Sequence, residues 1–407
     1  MKSLRKVLSV FTLLIFIALM SIGIIGCKSK KNVEEVKMVE TIPFELIDGI
    51  IILDVKINKT VDAKFIFDSG EESMTLDPKL VKKLKLKNVD TKELLGMASS
   101  KYVPIYNYLS VSLGDFTIDS IQGGAIDLSA QTKMLGTQID GLVGYEILNK
   151  YVCEINYDKQ IIKLSKTLET DVSDYTQKPL FASDKLPVLN NCKSVFQDSF
   201  ELTGNFVLDF GANTTVIMNT LVATENGLYD RIGKNFHSGN VSTTGRHQTH
   251  TGRLKTFTFA DYTFNSTAVS LGTSYSGFLG KMGYTGLLGN GFLKRFNTIY
   301  DLPSRKIYFK PSKYFNDKPI VNCTGISLKS NLSFDSVFVS KVYENTVGYN
   351  AGIKANDQLL RINAEDVSKY KLNELKEILN KAGEKVKLEF KREDKEYEVN
   401  LTLEEII

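Results

Sequence analysis

The chain is poor in the residues that metal and thiol chemistry require. Its 407 residues include three histidines, four cysteines and no tryptophan. The histidines, His237, His247 and His250, lie in one polar stretch, and no thiolate pair or H-E-x-x-H helix accompanies them. A solvated loop is therefore favoured over a metal site. The sequence predicts no metal and no other cofactor.

The remaining cysteines form no paired-thiol motif, and the glycines form no motif of serine hydrolases or nucleotide-binding proteins. Cys153, Cys192 and Cys323 are far apart and form no C-x-x-C, so they are either buried thiols or include one disulfide. Residues 272–277 miss the G-x-S-x-G pattern of a serine nucleophile by one position, and no glycine-rich phosphate loop is present. Serine hydrolysis and nucleotide chemistry are therefore not expected.

The chain begins with a basic segment and an apolar run. Lys2, Arg5 and Lys6 precede residues 7–25, which contain no acidic or basic residue and are followed by a glycine and Cys27. This pattern is typical of a secretory signal. Its end resembles a bacterial lipobox, in which the cysteine is diacylated and becomes the first residue of the mature protein, so Cys27 is the expected lipidation site. The alternative is an uncleaved N-terminal anchor, because the run is long enough to span a bilayer.

Neither sign of charge dominates the mature chain. Removal of the first 26 residues leaves 48 basic and 47 acidic residues, a formal charge of +1. Nucleic-acid binding requires a basic surface that neutralises phosphates. We therefore expect no nucleic-acid partner.

The rest of the sequence contains one β-rich pattern twice. In the first copy the apolar run VDAKFIF ends at the D-S-G of Asp68, and G-L-V-G begins 73 residues later at Gly141. In the second copy FVL ends at the D-F-G of Asp209, and G-L-L-G begins 77 residues later at Gly286. One D-x-G turn is weak evidence, because such turns are common. Two copies at nearly equal spacing predict two similar lobes related by a pseudo-twofold axis.

This constellation resembles a two-lobed, retropepsin-type aspartic protease over residues 42–312. The resemblance implies a mainly β fold of two duplicated, pepsin-type lobes, each of which presents one aspartate at the centre of a cleft. Two such carboxylates share one proton and activate a water without a covalent enzyme intermediate. The resemblance makes Asp68 and Asp209 the catalytic dyad, with loop support from Ser69, Gly70, Phe210 and Gly211.

The family covers its cleft with a hairpin flap between the catalytic loop and the apolar-glycine motif. Such a flap excludes water and binds the substrate backbone by strand pairing. The equivalent turn of the second lobe is residues 242–245, for which a mobile surface loop is the open alternative. By position, the candidate tip of the first flap is Gly96, Met97, Ala98, Ser99 and Ser100.

Two positions depart from the family pattern. The family has Ser or Thr after each aspartate, and its hydroxyl bonds to the opposite loop; Ser69 fits, whereas Phe210 does not. A buried group that loses such a partner costs about 1–3 kcal/mol unless water replaces it. Glu71 stands where the second copy has Ala212. The favoured expectation is that Glu71 points to solvent; the alternative is that its charge raises the pKa of the dyad.

The last segment, residues 318–407, resembles a bacterial PDZ domain. A-G-I-K from Ala351 and N-D-Q-L-L-R-I-N from Asn356 match the A-G-L-x-x-G-D-x-I-x-x-I-N pattern, with Asn356 in place of the usual glycine. The resemblance implies a groove beside a helix at residues 372–381, into which a peptide adds as a strand with its C-terminal carboxylate held by backbone N–H groups. A packing domain without a ligand is the alternative. The strand that borders the groove would contain Gly325, Ile326, Ser327 and Leu328.

These patterns predict a lipid-anchored aspartic endopeptidase of the cell envelope, outside the cytoplasmic membrane on its periplasmic face or at the cell surface. Peptides or proteins are the expected substrates, and a protein C-terminus is the candidate PDZ partner. The alternative is a catalytically degenerate, peptide-binding envelope lipoprotein on the same fold. The predicted segments are a signal peptide (1–26), a tether (27–41), lobe 1 (42–165), an interlobe linker (166–180), lobe 2 (181–312) and the PDZ domain (318–407).

Overall fold

The computed structural model of the chain describes residues 39–183, 185–318 and 322–407. The predicted signal peptide, Cys27 and the tether as far as residue 38 lie outside the described residues. Most of the regular secondary structure of the described chain is β-strand. Among the described residues, no helix combines the length and apolar character needed to cross a bilayer.

Lobe 1 is built on one mixed β-sheet. Its central strand, Val61–Asp68, carries the buried run Phe65, Ile66 and Phe67, as expected for a strand that is covered on both faces. This strand delivers the chain to the turn that begins at Asp68. In spatial order the strands of the sheet are Glu45–Ile47, Ile50–Ile57, Val61–Asp68, Gly141–Gly144, Met74–Leu76, Phe116–Ala125, Ser100–Leu113 and Asp90–Leu95.

Lobe 2 repeats this arrangement around the strand Glu201–Asp209. In each lobe the apolar-glycine strand runs parallel to the strand that ends in aspartate, with Gly144 beside Asp68 and Gly289 beside Asp209. The predicted duplication is therefore confirmed in its residue register. The strands of lobe 2 in spatial order are Phe236–Ser242, Gly245–Arg253, Ala268–Gly272, Val216–Met218, Gly286–Gly289, Glu201–Asp209, Leu186–Val195, Thr256–Phe259 and Tyr262–Asn265, and Phe181–Ser183 pairs with Leu186–Val195.

A third sheet joins the lobes and shows the same symmetry. Its two inner strands, Val152–Asn156 and Phe296–Asp301, are equivalent segments of the two copies and pair antiparallel. Its two outermost strands include residues that the sequence assigned to connecting segments. Glu40–Pro43 begins in the predicted tether and Thr176–Pro179 lies in the predicted linker, and each forms a strand because it pairs with a neighbouring strand. The strands are Glu40–Pro43, Ile161–Ser165, Val152–Asn156, Phe296–Asp301, Lys306–Pro311 and Thr176–Pro179.

The PDZ domain has a sheet and a hydrophobic core of its own. Asn356 adopts φ 72°, which explains how it replaces the glycine of the family pattern, because asparagine tolerates the left-handed region better than most residues. The helix Leu372–Leu379 ends two residues before its predicted end. The strands are Ile326–Ser330, Val337–Val342, Gln358–Ile362, Glu365–Asp366, Lys385–Arg392 and Lys395–Thr402.

The helices are short and connect strands. Asp77 caps the helix Pro78–Lys83, since its carboxylate accepts a hydrogen bond from the Lys79 N–H, as expected for an N-cap. The α-helices are Pro78–Lys83, Ser129–Leu135, Tyr145–Leu148, Thr220–Glu225, Leu228–Arg231, Asn290–Leu293, Val347–Asn350 and Leu372–Leu379, and Phe278–Gly280 and Val367–Lys369 are 3₁₀ turns.

The three cysteines of the described chain are all buried. Cys153 and Cys192 are free thiols, and burial raises the pKa of Cys192 to about 12. The Cys323 thiol donates to the Asn380 carbonyl oxygen at 3.4 Å. The structure thus favours buried thiols, which were one of the two predicted alternatives.

Candidate active site

Asp68 and Asp209 meet where the two lobes face each other. Each ends a central strand, and their carboxyl groups hydrogen-bond to one another. The Oδ1 atom of Asp68 accepts from the Gly70 N–H at 2.8 Å, and Oδ1 of Asp209 accepts from the Gly211 N–H at 2.8 Å. The two loops therefore hold both carboxyl groups in equivalent ways.

The glycines after the aspartates make room for the opposite carboxyl group. A methyl group built on Gly211 would lie 2.1 Å from Cγ of Asp68, closer than carbon atoms can approach without a shift. A methyl group built on Gly70 would lie 3.1 Å from Cγ of Asp209, which is tight but less severe. The close approach of Asp68 therefore requires glycine at position 211, whereas glycine at position 70 only eases the approach of Asp209.

The pair is set up to share a proton. Burial, the charge of Asp68 and the hydrogen bond to Asp68 raise the pKa of Asp209 well above its ordinary value. Burial also raises the pKa of Asp68, although the hydrogen bonds from Asp209 and from the N–H groups of Gly70 and Glu71 act in the opposite direction. Since two adjacent carboxylates cannot both ionise cheaply, the pair retains one proton at pH values where an isolated, exposed carboxyl group has lost it.

One hydroxyl group bridges the two loops that carry Asp68 and Asp209. Ser69 Oγ donates to the Leu208 carbonyl oxygen at 2.7 Å and accepts from the Phe210 N–H at 3.0 Å. At the equivalent position of lobe 2, the Phe210 ring is fully buried between Phe67 and Tyr300. The second loop therefore contributes apolar packing to the lobe contact where the family pattern has a hydroxyl.

Ser69→Ala is expected to lower the free energy of unfolding by about 1–3 kcal/mol, because two buried backbone groups of the opposite loop lose their partner. Urea unfolding at pH 7 measures this change. Ser69→Thr, which keeps the hydroxyl, is the matched control and should cost clearly less. Equal losses in the two variants would contradict a bonding role for the hydroxyl.

Glu71 is buried, so the favoured expectation that it points to solvent is wrong. Its side chain is 8% exposed and lines the cleft. The physical reason is the turn itself, in which the Glu71 N–H donates to the Asp68 carbonyl oxygen at 3.3 Å and holds residue 71 against the dyad. Burial and the charge of Asp68 raise the pKa of Glu71 well above its ordinary value. A third carboxyl group, which the charge of Asp68 helps to keep protonated, thus borders the dyad.

Glu71→Gln is expected to reduce the loss of stability as pH rises. The unfolded Glu71 carboxyl releases its proton near pH 4.5, whereas the folded one keeps it to higher pH. The free energy of unfolding therefore falls with pH between the two values, and Glu71 contributes nothing below both. Glutamine does not titrate, so the melting temperature of the variant should rise relative to that of the parent as the pH increases above 4.5. Thermal melts from pH 4 to 8 measure this change. Glu72→Gln is the control, because Glu72 is next along the chain and more exposed. A difference in melting temperature between Glu71→Gln and the parent that is the same at all pH values would contradict the assignment.

The predicted flap tips lie over the cleft and touch each other. Residues 96–99 connect the strands Asp90–Leu95 and Ser100–Leu113, and residues 242–245 form the matching turn of lobe 2. Ser99 Oγ lies 3.0 Å from Thr244 Oγ1. The second turn is therefore a docked hairpin tip, and Ser100, which was included in the first tip, belongs to a strand.

A further segment of lobe 2 holds the first flap and has no counterpart among the predicted site residues. The Phe278 N–H donates to the Gly96 carbonyl oxygen at 2.9 Å, and the Leu279 N–H donates to the Met97 carbonyl oxygen at 2.8 Å. Ser274 Oγ donates to the Ala98 carbonyl oxygen at 3.0 Å. The flap is thus closed onto lobe 2 by backbone pairing.

The histidines lie in the lobe 2 hairpin, so the prediction of a solvated loop is wrong. His237 and His250 face each other across paired strands, with ring centroids 4.0 Å apart. His247 is buried and lines the cleft, and burial lowers its pKa. Polar strands carry a weak sequence signal, which is why the sequence placed the three histidines in a loop although it indicated the turn at residues 242–245. In the described part of the chain, no group of histidine, cysteine and acidic side chains is arranged to hold a metal ion.

The cleft that contains the dyad has a volume of about 620 Å³. Both lobes line it, with Asp68 and Asp209 at its base. The PDZ domain lines it as well, through Asn322, Tyr343 and Lys376. The predicted groove residues Gly325, Ile326, Ser327 and Leu328 lie at or beside the edge strand Ile326–Ser330 of that domain. The cleft is therefore enclosed by three structural units.

Two family models match separate parts of the chain. The family model described as aspartyl protease matches residues 53–147, within lobe 1, and the PDZ domain model matches residues 316–391. No curated protein matches the chain. Among solved structures, the aspartic proteinase from Irpex lacteus aligns at 13% identity over 69% of this chain and 99% of its own, with a TM-score of 0.41. The chain thus combines an aspartyl-protease-like domain with a C-terminal PDZ domain.

Proposed function

We propose that the chain is a membrane-anchored aspartic endopeptidase. The observation that carries the proposal is the pair of carboxyl groups of Asp68 and Asp209, which symmetric loops of two lobes bring into hydrogen-bond contact at the base of a covered cleft. Carboxyl groups that hydrogen-bond to each other in a cleft, and whose pKa values burial raises, are typical of acid–base catalysis. The flap tips above them support closure over an extended peptide.

The geometry supports a mechanism without a covalent enzyme intermediate. A water between the carboxyl groups gives one proton to the ionised member, and its oxygen attacks the scissile carbonyl carbon. The protonated member donates its proton to the carbonyl oxygen, which yields a tetrahedral diol. As the diol collapses, the ionised carboxyl group takes the proton of one diol hydroxyl, the protonated carboxyl group gives its proton to the leaving nitrogen, and the C–N bond breaks. The pair then again holds a single proton.

We further propose that the enzyme acts at the cell envelope, anchored outside the cytoplasmic membrane through a lipid on Cys27. This part rests on the sequence alone: the basic start, the uncharged run of residues 7–25 and the cysteine that follows. The PDZ domain is proposed to capture a substrate or a partner protein. Globomycin treatment and detergent phase partitioning of the expressed full-length chain, beside Cys27→Ala, test the anchor.

Peptide hydrolysis by the chain from residue 28 onward tests the proposed activity. The protein is incubated with a peptide mixture from pH 3 to pH 8, and a statine-containing peptide, which mimics the tetrahedral diol, is added as inhibitor. New peptide ends that disappear with the inhibitor support the proposal. Peptide binding without cleavage at any pH would overturn it in favour of a degenerate peptide-binding protein, the candidate favoured by Phe210 at the second loop.

A further inference from the structure

The groove of the PDZ domain already holds a segment of lobe 1. The groove lies between the edge strand Ile326–Ser330 and the helix Leu372–Leu379. The helix Ser129–Leu135 packs against that edge strand, and Ser330 Oγ donates to the Lys133 carbonyl oxygen at 3.2 Å. The residues that a peptide ligand would contact therefore contact the chain itself.

The other side of the groove binds the same segment. Gly136, which ends the lobe 1 helix with φ 66°, lies against Leu372, since a methyl group built on it would be 2.7 Å from Cβ of Leu372. One helical turn further on, Lys376 Nζ donates to the Met134 carbonyl oxygen at 2.7 Å and forms an ion pair with Asp48. The Lys376 and Asp48 side chains are 23% and 16% exposed, so this ion pair is less screened by solvent than a surface pair.

The loop that would hold a ligand carboxylate has its N–H groups occupied. The N–H groups of Thr324 and Gly325 donate to Asn322 Oδ1 at 3.0 and 2.7 Å, and the Ile326 N–H donates to Thr324 Oγ1 at 3.2 Å. In this structure these N–H groups therefore bind side chains of their own loop instead of a terminal carboxylate.

The segment that fills the groove also forms part of the catalytic cleft. Gln131, Met134 and Leu135 line the same cavity as the dyad, and so do Lys376 and Asp48. A ligand that removed the helix from the groove would move this wall. Occupancy of the groove and the shape of the cleft are therefore linked, and the link acts in both directions.

We propose that residues 129–136 are an internal ligand of the PDZ groove, and that the free C-terminus of an extended peptide binds there only by displacing them, which alters the substrate cleft. Only the effect on cleavage rests on the proposed function. The competition for the groove stands on contacts within the chain, and it is measurable in a protein that cleaves nothing.

Lys376→Met tests the competition, because it keeps the apolar stem and removes the bonds to Met134 and Asp48. The probes are fluorescent decapeptides with an aliphatic last residue, prepared with a free or an amidated C-terminus, and their anisotropy is measured with the full chain from residue 28. We expect the variant to bind the free-carboxyl peptides at least about tenfold more tightly than the parent, since the competing segment is weakened. Lys381→Met, at an exposed position just beyond the same helix, should match the parent.

Hydrogen exchange on the same samples identifies the displaced segment. Peptide binding should increase exchange at residues 129–136 and leave the core of the PDZ domain protected. Equal peptide affinity in the parent and in Lys376→Met, or binding without faster exchange at residues 129–136, would overturn the proposal. If the chain cleaves peptides, the free-carboxyl decapeptide should shift KM for a substrate that does not compete for the groove. Absence of cleavage in every sample would count against the proposed activity and would leave the binding result intact.

Discussion

Asp68→Asn and Asp209→Asn are each expected to lower kcat for peptide hydrolysis by about 10²- to 10⁴-fold, the range typical of lost acid–base catalysis. In the proposed mechanism one carboxyl group accepts a proton from the attacking water and the other donates one to the scissile carbonyl oxygen, so neither variant retains a pair that shares one proton. Asparagine resembles a neutral aspartic acid in shape and can still accept the glycine N–H bond that holds residues 68 and 209. Initial rates of peptide cleavage across the pH range measure the effect.

The fold should survive these substitutions. Burial raises the pKa of both aspartates, so an ionised carboxyl group is costly in this place and a neutral amide is not. We expect melting temperatures at pH 7 no lower than that of the parent. Asp301→Asn is the matched control, since Asp301 is 5% exposed, close to the 8% of Asp209, and lies away from the cleft. More than a tenth of parental activity in either dyad variant would contradict the assignment.

The central architecture could be predicted because its signals are local. An apolar run that stops at an acid and a glycine marks the end of a buried strand, and the near-equal spacing to the apolar-glycine motif reveals the duplication. In the structure these spacings become the same register in both lobes, with Gly144 beside Asp68 and Gly289 beside Asp209. The residues that form the base of the site are therefore the ones with the clearest sequence pattern.

The surroundings of the dyad could not be predicted, because they depend on contacts between distant residues. Lys376 and Asp48 are 328 residues apart in the chain, and nothing near either residue indicates that they pair. The burial of Glu71 depends on how a turn folds back over Asp68, whereas its sequence context is acidic and suggests solvent. The docking of the first flap onto Phe278 has the same character, because it is made by backbone atoms that any sequence supplies.

Gly211→Ala is expected to lower kcat about 10²-fold with a smaller effect on KM, because an error of about 1 Å in the position of a catalytic group costs this much. The added methyl group would lie 2.1 Å from Cγ of Asp68, and the Asp68 side chain is the part that can move. Asp68 would then leave its hydrogen bond with Asp209. Steady-state kinetics measure the change. The pH dependence of kcat/KM should change as well, because carboxyl groups that lie further apart affect each other's pKa less.

Gly70→Ala is the matched variant in the equivalent loop, and the two should not behave alike. Its methyl group would lie 3.1 Å from Cγ of Asp209, so a shift of a few tenths of an ångström is enough, and we expect a loss of activity at least several-fold smaller than that of Gly211→Ala. Both variants should melt within a few degrees of the parent, because the displaced atoms belong to side chains at the cleft surface. Equal losses in the two variants would mean that backbone stiffness of the loops, and not the approach of the opposite carboxyl group, is what the glycines provide. Unequal losses in the expected order would show that the two loops, although related by the duplication, hold their partner aspartates at different distances.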